Sequence, residues 1–310
     1  MPRRLPDAAK YLVLMLCCLL SLPLAALAAE EPSPLPLWPS GVPDTVIRHE
    51  QPEKLENRTE NQNAQGFNRI ISFVSNPTLT VYPAPGVSGP APALVIFPGG
   101  GFRRLAWDKE GIDIARRFNA VGITGIVVKY RLCPEKYETK EGRVPDDVRV
   151  AILADGPQAM RMARANAAKW GIDPQRIGVI GFSAGGYMAA WTATHCTMGD
   201  QSAADPLAKV GSRPDFACLI YPAVPAGIDT VLSAETPPVF LVNANDDTTT
   251  PAAKAVALHE ALRQAGVTGE MHIFTRGSHG FGLGVNGGAV TAWPSLLEGW
   301  LRERGVIGGK

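Results

Sequence analysis

A serine held between glycines, Gly181-Phe182-Ser183-Ala184-Gly185-Gly186, is the first place in this chain where residue types and spacing could do covalent chemistry. The G-x-S-x-G pattern is informative where a strand turns tightly into a helix, because so sharp a turn requires neighbours without Cβ atoms. IGVIG at 177–181 reads as the strand and the small-residue stretch 184–195 as the helix. Ser183 is the candidate nucleophile, with a helix N-terminus behind it that favours developing negative charge. Standing alone, the same residues also describe an ordinary glycine turn with a serine cap.

A serine hydroxyl is a weak nucleophile until a base takes its proton. Of the five histidines, His49 lies in irregular sequence, His195 ends the helix after Ser183, His259 is inside a helix and His272 inside a strand. His279, in Gly277-Ser278-His279-Gly280-Phe281-Gly282, alone sits in a loop just after a strand, with small neighbours that let an imidazole reach another loop. A carboxylate must then fix its tautomer. Two acids follow the strand at 239–243, and Asp247 is expected to serve the histidine while Asp246 bonds loop amides. After the strand at 93–97, Pro98-Gly99-Gly100-Gly101-Phe102 leaves backbone N–H groups unshielded. The amides of this glycine run, with that of Ala184, are the expected donors to an oxyanion.

These residues need a scaffold that brings three loops to one edge. Strand-type runs fall at 79–84, 93–97, 123–130, 177–181, 217–221, 239–243 and 270–274, and helical stretches at 108–121, 155–169, 184–195, 252–265 and 291–304. Their alternation predicts one doubly wound α/β domain over 66–310 with a mostly parallel sheet, whose ligands bind at the carboxyl ends of the strands. Residues 29–65, rich in Pro, Asn and Glu, read as an extended N-terminal arm on the domain surface.

The first 28 residues read as an export signal: Arg3, Arg4 and Lys10 precede an apolar stretch, and Ala26-Leu27-Ala28 offers a cleavage site. The apolar run is broken by Ser21 and Pro23, which argues against a retained anchor. Large Leu16 before Cys17 argues against lipidation at Cys17 or Cys18. A secreted or periplasmic protein without stable membrane insertion is expected. The remaining cysteines, Cys133, Cys196 and Cys218, are odd in number and widely spaced, so they form neither a disulfide framework nor a metal cluster. A formal net charge of +1 and the lack of any like-charge run give no footprint for nucleic acid. Neither metal nor cofactor is called for, since metal-ligand spacings such as H-E-x-x-H are missing.

The chain resembles the secreted bacterial α/β-hydrolase esterases described as acetyl xylan esterase-like, related to the BD-FAE and dienelactone hydrolase groups. The resemblance is carried by LWPSGVP at 37–43, PGGGF at 98–102, VVKYRL at 127–132, WGIDPQRIGVIGFSAGGYMAA at 170–190, NDDTTTP at 245–251 and RGSHGFGL at 276–283. It implies an α/β-hydrolase fold, whose chain order of serine, acid and histidine Ser183, Asp247 and His279 share, and an oxyanion hole made by the amides of Gly100, Gly101 and Ala184. It also implies a serine esterase acting through an acyl-enzyme on acetyl or other carboxylic esters of a small molecule or of a polysaccharide such as xylan. Phe97 departs from the histidine that many relatives carry before PGGG, and Thr248–Thr250 depart from a more apolar stretch. Both departures bear on substrate choice.

Two other functions fit the same pattern. A serine peptidase of the prolyl oligopeptidase type shares fold and residue order, although no propeller-like repeat precedes the hydrolase region. A non-catalytic carbohydrate-binding protein would use aromatic residues near the mouth. For these, Phe102 and Trp107 are the expected substrate-binding rings, while Tyr187 and Trp293 read as core. Asp173 and Arg176 read as a structural turn pair, and Asp155 as a helix-start acid.

Overall fold

The run Ala91–Phe97 buries every one of its side chains, the pattern of a parallel strand covered on both faces, and it lies near the middle of an eight-stranded sheet. The computed structural model describes residues 31–43, 46–137, 144–224, 227–228 and 231–308. The leader read over 1–28 lies outside the described residues. In chain order the strands are β1 (Leu35–Pro36), β2 (Lys54–Asn57), β3 (Arg69–Ser72), β4 (Thr78–Tyr82), β5 (Ala91–Phe97), β6 (Arg104–Ala106), β7 (Thr124–Lys129), β8 (Ile172–Phe182), β9 (Ala217–Ile220), β10 (Val239–Ala244) and β11 (Gly269–Phe274). The helices are α1 (Asp113–Asn119), α2 (Asp146–Leu153), α3 (Asp155–Ala165), α4 (Ala167–Trp170), α5 (Ala184–Thr194), α6 (Ala252–Gln264) and α7 (Trp293–Glu303).

The large sheet is ordered β1-β4-β7-β5-β8-β9-β10-β11. Pairs from β7 to β11 are parallel, and β1–β4 and β4–β7 are antiparallel. From β5 the chain crosses to β7 on one side and then returns to β8 on the other. Strand order therefore reverses between β5 and β8, which opens a crevice at their carboxyl ends. The glycine run and Ser183 both leave the sheet there.

A second, three-stranded antiparallel sheet, β2-β3-β6, is not foreseen by periodicity. It brackets the glycine run between β5 and β6. The helix expected over 108–121 is a π-helical turn at Asp108–Ile112 followed by α1. The π turn rotates Asp108 and Glu110 inward beside Ile112. Asp108 there accepts the Arg69 backbone N–H at 2.5 Å and its guanidinium at 2.6 Å, which fastens β3 to the turn.

Of the expected arm, Leu35–Pro36 pairs into the large sheet and Lys54–Asn57 into the small one. Leu35 pairs with Leu79 and Leu37 is completely buried. The Trp38 indole N–H donates to Asp155 at 2.8 Å, and the Gln158 side chain donates to the Leu37 carbonyl at 3.1 Å. Two large apolar side chains gain more from docking than a polar arm would, at ~25 cal/mol per Å² of apolar area removed from water.

Asp155 does open α3, but its position at a helix start is the lesser part of its role. It is completely buried and accepts the Arg131 backbone N–H at 2.9 Å and the Arg131 guanidinium at 2.8–3.1 Å. Burial pushes its carboxyl upward against the pull of Arg131. Asp173 and Arg176 form the turn pair expected of them, at 2.8 Å. Among the described residues, no helix is long and apolar enough to cross a membrane.

Candidate active site

Strand β8 ends at Phe182, and Ser183 then takes φ 53° and ψ −117° before α5 begins. A non-glycine residue there carries ~1–3 kcal/mol of strain and persists only where its surroundings over-determine it. The Ser183 N–H donates to the Ile220 carbonyl at 3.1 Å, and its carbonyl accepts from Tyr187 at 3.1 Å and Ala223 at 2.9 Å. The turn is closed by close approach as well. A Cβ on Gly185 would lie 2.0 Å from the Phe97 carbonyl oxygen, so β5 and α5 can meet only at a glycine.

The glycine run abuts this elbow. A Cβ on Gly99 would lie 2.9 Å from Cβ of Ser183, and one on Gly100 would lie 2.1 Å from the Arg104 carbonyl oxygen. The Gly99 carbonyl accepts from Ala106, and the Gly100 carbonyl from Arg103 and Arg104, which folds the loop back onto β6. Among the described residues, the amides of Gly100, Gly101 and Ala184 enter no turn, loop or cap hydrogen bond. Gly99, which precedes two of them, abuts Ser183 itself.

His279 reaches Ser183 from the loop after β11. Its Nε2 lies 2.8 Å from Ser183 Oγ and its Nδ1 lies 2.8 Å from Asp247 Oδ2. The Asp247 side chain is fully buried. Its Oδ1 accepts the N–H groups of Thr249 and Thr250, both at 2.8 Å, and its Oδ2 accepts the Thr250 hydroxyl at 2.9 Å. Asp246, next in the chain, faces away and accepts the amides of Gly277 at 2.9 Å and Ser278 at 2.8 Å. The Ser278 N–H, joined by that of Gly277, holds its carboxyl below the usual carboxylate range. One acid thus meets the imidazole and the other ties down the loop that carries it.

Three contributors escape sequence reasoning. Thr250 lends its hydroxyl to the Asp247–His279 contact, 3.2 Å from His279 Nδ1. Tyr221, at φ 36°, sets its ring edge-on to His279 with centroids 5.2 Å apart. Glu110 accepts the Gly99 N–H at 2.8 Å and the Tyr221 hydroxyl at 3.0 Å. Its one sequence signal is an acid within an otherwise apolar helical stripe.

The aromatic expectations need correction. Phe102 and Trp107 are only 6% and 7% exposed, so neither offers an open face for a sugar ring. Phe102 packs edge-on against Tyr130 and Tyr187, which explains its burial. Trp293 is core, as expected, and its indole N–H also holds the Gly282 carbonyl at 2.8 Å. Tyr187 is half-buried beside Phe102. His195 stacks on Trp191 at 3.4 Å, and His49, His259 and His272 bond groups away from Ser183. Cys196 and Cys218 are free thiols.

Residues 94–235 match the family model described as the alpha/beta hydrolase fold. The chain has the α/β-hydrolase fold. Residues 225–295 of this α/β-hydrolase also match the model of the prolyl oligopeptidase family. The chain is similar to an acetylxylan esterase of Xylanibacter ruminicola, at 29% identity over 223 residues, covering 62% of this chain and 42% of that one. A carboxylesterase of Mycobacterium tuberculosis is 37% identical over 115 residues, 36% of this chain and 31% of the relative. The chain therefore spans less than half the length of these curated relatives. The crystal structure of an acetyl ester-xyloside bifunctional hydrolase from Caldicellulosiruptor lactoaceticus superposes with a TM-score of 0.70 at 29% identity, covering 91% of this chain and all of the other.

Proposed function

We propose that this α/β-hydrolase is a serine carboxylic ester hydrolase that removes acetyl groups from carbohydrate such as xylan. The observation that carries the reading is the unbroken Ser183–His279–Asp247 relay, with both links at 2.8 Å, set beside unengaged backbone amides. His279 would take the Ser183 proton as Oγ attacks the ester carbonyl, and Asp247 would hold the resulting imidazolium. The amides of Gly100, Gly101 and Ala184 would receive the oxyanion. Collapse of the tetrahedral intermediate would transfer the His279 proton to the departing sugar hydroxyl and leave an acetyl-serine. Water activated by the same histidine would then release acetate.

The acetyl group and the sugar are suggested by the named activities of the Xylanibacter and Caldicellulosiruptor relatives. The leader pattern at residues 1–28 fits an enzyme that meets this polymer in the periplasm or outside the cell. The match to the prolyl oligopeptidase model over the segment holding Asp247 and His279 favours a second reading, peptide cleavage. Acetate release from acetylated xylan, measured beside cleavage of a proline-containing peptide, tests both. Acetate release that disappears in Ser183→Ala is the expected result, and peptide cleavage without acetate release would overturn it.

A further inference from the structure

We propose that Glu110 is a positioning residue that fixes the oxyanion loop and the histidine loop to each other, an inference that rests on the serine hydrolase reading above. Glu110 lies in the π turn before α1 and is 3% exposed. Among the described residues, no ion pair faces it, so its two oxygens are served by hydrogen-bond donors alone. A buried charge without an opposite charge is costly and calls for a reason. The reason lies in what those donors belong to.

Glu110 Oε2 accepts the N–H of Gly99, the residue whose Cα abuts Ser183. Glu110 Oε1 accepts the hydroxyl of Tyr221, 111 residues away, at the end of β9. That hydroxyl in turn accepts the N–H of Gly282, three residues beyond His279, at 3.0 Å. The Tyr221 ring between these contacts is edge-on to His279, and the Tyr221 carbonyl lies 3.1 Å from the Thr250 hydroxyl. A single carboxylate thus connects the loop meant for the oxyanion, the wall behind the base and the loop that carries the base. With the Gly99 N–H turned inward to Glu110 and the Gly99 carbonyl bonded to Ala106, the 98–101 segment is held on both sides. The next amides, of Gly100 and Gly101, are left for substrate. Donors fixed in advance of the reaction stabilise the transition state more than the ground state.

Only a carboxylate fits. Glutamine has one acceptor oxygen, so either its NH2 opposes the Gly99 N–H or it faces a Tyr221 hydroxyl that already accepts from Gly282 and would lose the partner for its own proton. Glu110→Gln should lower kcat on p-nitrophenyl acetate by roughly 10–100-fold while KM changes less than about threefold, and should weaken phenylboronic acid binding in step with kcat. Tyr221→Phe keeps the ring against His279 but removes the link, and should lower kcat by about fivefold or more. The double variant should lose little beyond Glu110→Gln, because both changes break one connection.

The inference is overturned if Glu110→Gln melts lower yet keeps kcat and boronate affinity within about twofold of the parent, the signature of a merely structural acid. Should Glu110→Gln fail to fold, an unchanged kcat in Tyr221→Phe overturns it equally. Failure of the underlying reading looks different: the parent itself would hydrolyse the ester no faster than Ser183→Ala.

Discussion

The two neighbouring acids allow a sharp test, because substitution of each by asparagine has a different outcome dictated by fixed donors. At position 247, two backbone N–H groups, from Thr249 and Thr250, point at Oδ1 from 2.8 Å. An asparagine must place its oxygen there, which turns its NH2 toward His279 Nδ1. Donating to Nδ1 forces the imidazole to carry its proton on Nε2, 2.8 Å from Ser183 Oγ, where a base is needed. Asp247→Asn should therefore lower kcat by about 10⁴-fold, as the equivalent change does in a serine protease. That corresponds to ~5.4 kcal/mol of lost transition-state stabilisation at ~1.36 kcal/mol per decade. At position 246 the same substitution keeps an oxygen facing the amides of Gly277 and Ser278. Asp246→Asn should hold kcat within about tenfold of the parent. Steady-state hydrolysis of p-nitrophenyl acetate, with circular dichroism to verify folding, measures both. An active Asp247→Asn, or a dead Asp246→Asn that folds, would refute the assignment of the acid.

Ser183→Ala should abolish ester turnover, by more than about 10³-fold, while its circular dichroism matches the parent. Gly185→Ala would drive a methyl against the Phe97 carbonyl, so it should cost about 1–3 kcal/mol or more of stability and slow catalysis by prising the elbow from β5; thermal melts and kinetics check both. The Gln175 N–H and then the Arg176 guanidinium hold the Asp173 carboxyl below its usual value. A depressed carboxylate contributes its stability in full above the unfolded value of about 3.9 and loses it as pH falls through the folded value. The melting-temperature gap between parent and Asp173→Asn should thus be constant from about pH 7 to pH 5 and close as pH falls below the ordinary carboxylate value. A gap that persists undiminished at acid pH would rule this out.

The parts of the fold legible in the sequence are those whose burial is uniform. β5, β7, β9, β10 and the 177–182 end of β8 are buried on both faces, so their continuous runs stand out, and the glycines that let β5 approach α5 stand out beside them. Ser183 and Asp247 could be picked because each follows such a strand, whereas His279 follows the half-buried β11 and stands out by its small neighbours. Short or polar strands leave no such trace: β2, KLEN, is wholly exposed, and β6 has three residues. Periodicity also misleads where helix geometry changes. An α-helical wheel cannot register the π turn that carries Asp108 and Glu110 inward. Phe102 and Trp107 depart from expectation for a related reason, since a ring next to a predicted mouth can pack beneath it as easily as line it. Tyr221 and Thr250 acquire their places only from tertiary contacts across the crevice.

The docking of the N-terminal segment also has a bearing on the order of assembly. Trp38 and Leu37 find their partners 117 and 121 residues along the chain, and closing such loops costs entropy before any contact compensates for it. The parallel strands β5 and β7 enclose far shorter loops, so they can form while the segment is still loose. Contacts made after the folding barrier slow unfolding without hastening folding. A segment that docks late would act as a kinetic latch: Trp38→Phe should raise the unfolding limb above the parent's while the refolding limb stays where it is, changing how long the folded protein lasts and not how fast it forms.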